Sequence, residues 1–259
     1  MAEILPPPSL PLPPGGEPED VWNRILRAAL AMPGAKVDRK VFLRTALSKH
    51  VATDVWEQAI ETTPAKAGIR KDTIRRVAIS SIRWHRAGVS AVSFAAGMPG
   101  GWWLAGTVPA DLTQFFWHVA VIAQKLAYLY GWPELLSEDG GLDDETLLIL
   151  TVFIGVMFGA ESAGKILSDL AERVAAQVLK RLPRETLTKW GLYRLAREIA
   201  KWIGVKLTKE TFARVLSKLV PILGGIISGT ITWIAFSLMT NRLAIHLESL
   251  PLATNDDSR

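Results

Sequence analysis

The chain has no cysteine. Disulfides, thiolate metal centres and cysteine nucleophiles are therefore excluded, and the composition fits a reducing compartment. Histidine is scarce: His50, His85, His118 and His246 are the only four, scattered and without HxxxH or HExxH spacing, so the usual helical zinc signatures are missing. There is no P-loop, no GxGxxG after a strand and no GxSxG elbow, which removes the recognisable nucleotide-binding, dehydrogenase and hydrolase motifs. No period-two alternation is long enough for a strand, and no repeat of roughly 20–50 residues recurs. No metal or cofactor is expected.

What remains is apolar, basic and rich in tryptophan. Of 259 residues, 49% are hydrophobic and ten are Trp against three Tyr. The mean hydropathy of +0.21 is high for a soluble protein and low for a polytopic membrane protein. Trp combines an apolar body with one N–H donor, so it suits core edges, interfaces and the headgroup level of bilayers. The net charge is +5, unevenly placed: residues 66–86 carry seven Lys/Arg against one Asp, and residues 180–218 carry eleven against three Glu. Six acids stand together without a base in residues 134–145. Basic faces beside apolar helices fit an anionic membrane surface. Nucleic acid is disfavoured as a partner, because no zinc-finger, helix-turn-helix or Arg/Gly/aromatic pattern accompanies the charge.

The pattern along the chain predicts an all-α protein with Gly/Pro-broken apolar central helices. Residues 1–17 form a proline-rich leader with neither the basic nor the apolar region of a signal peptide. A helical domain over 18–247 follows, then a polar tail over 248–259. Helices are expected from Pro18 to Pro33-Gly34, after Asp38, from Thr53, and over about 71–96, where a basic amphipathic first half gives way to an uncharged second half. Another runs from 146 past Glu161 to about 182, launched by Asp143 or Asp144. Short helices are expected over 184–190, 192–203 and 209–219, and the last over 222–247.

The stretch 97–131, GMPGGWWLAGTVPADLTQFFWHVAVIAQKLAYLYG, is the expected organiser. It should pack against the C-terminal helix to form the apolar centre. Its structural residues are Gly97, Pro99, Gly100, Gly101, Pro109 and Gly131, with Pro221, Gly225 and Gly229 in the last helix. Small residues four apart (Gly97, Gly101, Ala105; Gly155, Gly159, Ala163; Gly225, Gly229) let helix backbones approach closely. The 22 uncharged residues 219–240 reach the length of a membrane span, although Pro221, Gly224 and Gly225 interrupt its start.

Asp111, Gln114 and His118 share one face of the helix that begins near Asp111. Asp111 and His118, with the isolated Glu161, are the candidate acid–base residues. Competing roles are a helix cap for Asp111 and a helix-face or buried-pair carboxylate for Glu161, meeting Lys125, Arg75 or Arg83. Trp102, Trp103, Arg83, Arg86 and Lys218 are the candidate membrane or partner surface.

At 97–111 and 124–135 the chain resembles the EcsC family of bacterial proteins, in GMPGG followed by TVPADL and then in QKLAYLYGWPEL. The AGI at 67–69 and VPILGGIISGTITW at 220–233 add to the resemblance, which covers residues 21–247. It implies a bacterial, cytoplasmic setting at the inner face of the cell membrane. The family's namesake is encoded beside an ABC transporter, and members generally have no assigned biochemical activity, so no catalytic residue is carried over. Trp102-Trp103 is bulkier than the small or aliphatic pair that the family's pattern implies. The favoured function is a non-enzymatic, membrane-associated accessory or regulatory protein, binding lipid or a membrane protein such as a transporter. An integral or membrane-inserting protein and an enzyme using Asp111, His118 and Glu161 are the alternatives. The oligomeric state is left open.

Overall fold

The computed structural model describes residues 17–96, 110–136, 143–177, 192–207 and 228–255. These residues are all-helical and strand-free, packed as a compact bundle. The helices are α1 (Pro18–Ala31), α2 (Arg39–Leu47), α3 (Thr53–Glu61), α4 (Lys71–Ala96), α5 (Ala110–Leu129), α6 (Asp144–Phe158), α7 (Glu161–Gln177), α8 (Leu192–Leu207) and α9 (Ser228–Glu248). A short 3-10 turn, Pro251–Ala253, follows. Residues 1–16, 97–109, 137–142, 178–191, 208–227 and 256–259 lie outside the described set. With them go the expectations for Gly97, Pro99, Gly100, Gly101, Trp102, Trp103, Pro109, Lys218, Pro221 and Gly225, and those for the helices at 184–190 and 209–219.

The helix starts follow local chemistry. Pro18 supplies a preset φ, and Glu19 and Asp20 favour the positive end of α1. Asp38 accepts the Val41 N–H at 2.8 Å, and Asp143 accepts the Thr146 N–H at 2.9 Å, so α2 and α6 carry the predicted aspartate caps. Helix α5 ends with Gly131 at φ +90° while the Trp132 N–H returns to the Ala127 carbonyl at 3.0 Å. That left-handed closure favours glycine.

Helices α5 and α6 form the centre. Helix α6 buries residues on every side, from Thr146 to Phe158, as its uncharged sequence requires. Helix α1 lies against both and against α8: the Trp22 indole donates to Thr151 Oγ1 at 2.9 Å, and Glu19 pairs with Arg197 at 2.7 Å. Helices α4 and α9 run antiparallel. Arg75 near the start of α4 pairs with Glu248 at the end of α9 at 2.6 Å, and Arg86 a few turns on meets Ser237. The expected packing of the 97–131 unit on the last helix is present in its described part, where Phe115 of α5 meets Phe236 of α9 edge-on at 6.3 Å.

Two features differ from the sequence reading. The helix expected to continue through Glu161 breaks at Gly159, whose φ of +83° turns the chain and returns its N–H to Gly155 and Val156. The expected ladder of Gly155, Gly159 and Ala163 is therefore no continuous helical face. Gly155 instead admits Ile199 of α8 and Ala163 of α7, since a Cβ there would lie 2.7 and 2.8 Å from them. The core also extends past 247: Leu250, Leu252 and Ala253 are buried because the 3-10 turn at Pro251 folds them back onto the bundle. Residues 219–227 lie outside the described set, and no helix of the described residues is long and apolar enough to cross a membrane.

One buried cation holds the small helices in place. Arg39, 8% exposed, donates from its guanidinium to the carbonyls of Ala59 (3.3 Å), Ile60 (2.7 Å) and Thr62 (2.9 Å) at the end of α3, and of Trp132 (3.0 Å) after α5. Its backbone N–H donates to Glu134 Oε2 at 3.0 Å, and Tyr128 Oη donates to Glu134 Oε1 at 2.5 Å. A guanidinium placed at a helix C-terminus satisfies carbonyls that have no helical partner. Arg39→Ala should lower unfolding free energy by about 3 kcal/mol, because four buried acceptors lose a charged donor. Arg39→Lys should recover only part, for want of the planar fork. Urea midpoints of the three proteins test this, and equal midpoints would refute it.

Candidate functional site

The residues that chemistry would use converge between α4 and α5. Helix α4 presents Trp84 and His85 to α5, and α5 presents Trp117, His118 and Lys125 in return. His85 is fully buried, and its Nδ1 lies 3.0 Å from Nδ1 of His118. On its other side His85 Nε2 lies 3.0 Å from Lys125 Nζ. The result is an amine–imidazole–imidazole chain. With Lys125 as donor to His85 Nε2, the His85 proton sits on Nδ1 and is donated to His118 Nδ1, which leaves the His118 proton on Nε2.

Aromatic rings enclose this chain. Trp84 meets His85 edge-on at 4.6 Å, and Trp117 meets His118 edge-on at 4.6 Å. The Lys125 amine lies 5.3 Å from the Trp84 ring centroid and 5.8 Å from that of Phe42 on α2, within cation–π range. Trp117 is anchored by donating its indole N–H to the Pro33 carbonyl at 3.1 Å. The ring of His118 rests on Gly88: a Cβ there would lie 2.5 Å from His118 Cε1 and 2.9 Å from Nε2. Gly88 is thus a spacing requirement, since α4 must bring bare backbone to the imidazole.

Burial lowers the His85 imidazole to about 2, with the Lys125 ammonium and His118 adding to the shift. Burial and Lys125 together lower His118 to about 4. Both are therefore neutral across the physiological range. Burial also lowers the Lys125 amine from the ordinary lysine range, and no other group opposes it. Lys125 makes no ion pair among the described residues.

The sequence candidates are placed as follows. His118 is in the cluster, but its partner is His85, which the spacing presented as an isolated histidine. Gln114 lies half-buried one turn before His118. Asp111 is in the first turn of α5, its side chain outside the described residues. Glu161 is exposed in the first turn of α7, and no described interaction joins it to His118, Lys125, Arg75 or Arg83. Arg83 is exposed on α4, and Arg86 is half-buried, its guanidinium 4.0 Å over the Trp233 ring of α9. Gly229 lies in the first turn of α9. His85 escapes the spacing rules because 33 residues separate it from His118 and 40 from Lys125; Lys125 lies only seven residues after His118, two turns along the same face of α5. The one available signal was a pair of basic residues on helices otherwise devoted to packing.

No family model matches the chain, and no curated protein or solved structure matches it. The EcsC resemblance rests on the quoted strings alone.

The neutral histidines carry a stability signature. Unfolded, each takes up a proton below about 6.5; folded, His118 resists until about 4 and His85 until about 2. The stability linked to them is complete above the unfolded value and is lost as pH falls, at roughly 1.4 kcal/mol per pH unit for each group. Urea unfolding at successive pH values should show a shallower acid-side loss for the His85→Gln/His118→Gln double variant than for the parent. Parallel curves would mean that the folded histidines titrate normally. Separately, Gly88→Ala should cost about 1–3 kcal/mol by forcing His118 off the α4 backbone, measurable as a drop in Tm.

Proposed function

We propose that this is a non-enzymatic, peripheral membrane protein whose α4–α9 face docks on an anionic lipid surface. The observation that carries the reading is an exposed aromatic and basic surface on a helix pair whose acids, Asp72 and Glu248, lie at its ends. Trp84 is 61% exposed and Trp233 41% exposed, on opposite flanks of a ridge bearing Ile79, Arg83 and Arg86. These three recur at helical spacing on one side of α4. From residue 73 to the end of α4 there is no Asp or Glu, and α9 has none before Glu248. The Lys and Arg side chains on the pair are Lys71, Arg75, Arg76, Arg83, Arg86 and Arg242.

Each part of the surface suits a headgroup layer. Indole rings with one polar edge sit at the water–hydrocarbon boundary, and guanidinium groups attract lipid phosphates. Arg86, stacked on Trp233, places its charge beside an apolar body. A nucleic-acid partner is the weaker fit, since the apolar Ile79 and the two indoles would gain little from a phosphate backbone. The EcsC resemblance supports the same reading, with the inner face of a bacterial membrane as the site of action and a transporter as a possible neighbour. The inserting alternative differs in one respect: a docked protein is released by a high-salt wash and an inserted one is not.

Co-sedimentation with vesicles of phosphatidylglycerol and phosphatidylcholine tests the docking. Binding should rise with phosphatidylglycerol content and fall with salt. Arg83→Glu, at an exposed position, should weaken it about ten-fold, as expected for reversing a charge worth about 1 kcal/mol near an anionic surface. Equal binding to pure phosphatidylcholine, or none to either lipid, would overturn the proposal.

A further inference from the structure

The Lys125 cluster borders the docking surface at Trp84 but asks for its own explanation. A half-buried lysine ordinarily finds a carboxylate or a set of carbonyls. Lys125 has neither among the described residues: its polar partner is the Nε2 of a neutral imidazole at 3.0 Å, and its remaining surroundings are the rings of Trp84 and Phe42. His85 is held in register for this contact by His118, and His118 by Gly88 and Trp117. An amine kept without a counter-ion, hydrogen-bonded to a base and walled by aromatics has the setting of a nucleophile.

We propose that Lys125 is a carbonyl-reactive amine, that His85, itself held by His118, orients it by accepting one N–H hydrogen bond, and that the site takes small aldehydes or ketones with an apolar or aromatic body as imines. The neutral amine donates one N–H to His85 Nε2, which leaves its lone pair free to attack the carbonyl carbon. As the C–N bond forms, one proton of the attacking nitrogen passes to the carbonyl oxygen, giving the carbinolamine. The remaining N–H proton then reaches the carbinolamine hydroxyl, which leaves as water while nitrogen and carbon form the C=N bond. The net change is amine plus carbonyl to imine plus water, with no oxidation or reduction. The lowered basicity of Lys125 enlarges the uncharged fraction that can attack. The groups facing it are His85 from α4 and Phe42 from α2, with His118 one bond further along the chain.

The test uses the full chain, glycolaldehyde as probe and cyanoborohydride to trap the imine, with each lysine followed by mass spectrometry. The exposed Lys40 and Lys71 serve as internal references. At neutral pH, Lys125 should be alkylated several-fold faster than either, because its lowered basicity leaves more of the amine uncharged. Its rate should level off at a lower pH than theirs, a readout that needs no variant. His85→Leu, which removes the hydrogen-bond acceptor, should bring Lys125 down toward the reference rate, and His85→Gln, which restores an acceptor, should recover part of it. A Lys125 rate equal to or below that of Lys40 and Lys71 through the neutral range would overturn the proposal. An unchanged Lys125 rate in a folded His85→Leu protein would overturn the assignment of His85 as the group that orients the amine.

Discussion

A helix buried around its whole circumference has no water with which to satisfy its polar side chains. Helix α5 is under that constraint from Leu112 to Leu129, and the arrangement around it follows from how each polar group is answered. Gln124, fully buried, accepts the Val37 N–H at 3.0 Å and donates to the carbonyls of Ala35 at 2.8 Å and Ala120 at 3.0 Å. These bonds fasten the α1–α2 connection to the middle of α5. One turn on, Tyr128 donates to Glu134, whose other oxygen receives the Arg39 backbone N–H. Left unpaired, each group would cost on the order of 1–3 kcal/mol. The connection therefore has little freedom in where it lies.

His118 meets the same constraint differently. It finds no backbone partner and no acid, only another histidine, and that histidine finds a lysine. Burial holds both rings neutral, which makes the contact tolerable; two imidazolium rings at 3.0 Å could not coexist there. The interior thus contains two polar systems of opposite character. The Arg39–Glu134–Tyr128 system is charged, multiply bonded and static, as suits a joint between helices. The Lys125–His85–His118 system is neutral at its centre, and its imidazoles hold the half-buried amine in one orientation.

Trp84 links this interior to the outer surface. Its ring meets His85 and His118 and faces the Lys125 amine, while most of its area remains exposed beside Arg83. The α4 sequence makes this possible through a simple division. Ile74, Val77, Ala78 and Ile82 face the core, and Arg75, Arg76 and Arg83 face out. Trp84 and His85 fall at the seam, where one side chain can turn outward and the next inward.

Much of the helical frame was legible from residues alone. Proline and acids mark the start of α1, Asp38 and Asp143 cap α2 and α6, and the uncharged run of α6 predicts its burial. These are local effects, decided within a turn of the residue concerned. The break at Gly159 was less legible, because a glycine in a small-residue ladder reads equally as a packing face; the Arg242 guanidinium, which fills the space beside Gly159 and donates to the Met157 carbonyl at 3.0 Å, comes from a distant helix.

The stretch around α5 had been singled out for its glycines, prolines and tryptophans, and the described part of it proves central for its buried polar groups instead. That α5 is helical and mostly apolar was determined by the sequence itself, through periodicity and the absence of interior breakers. That His118 faces His85, that Lys125 lacks an acid, and that Arg39 closes the end of α3 were decided only by tertiary structure. Those contacts join residues 20 to 40 or more positions apart, where no spacing rule applies and only the packing of one helix against another selects the partner.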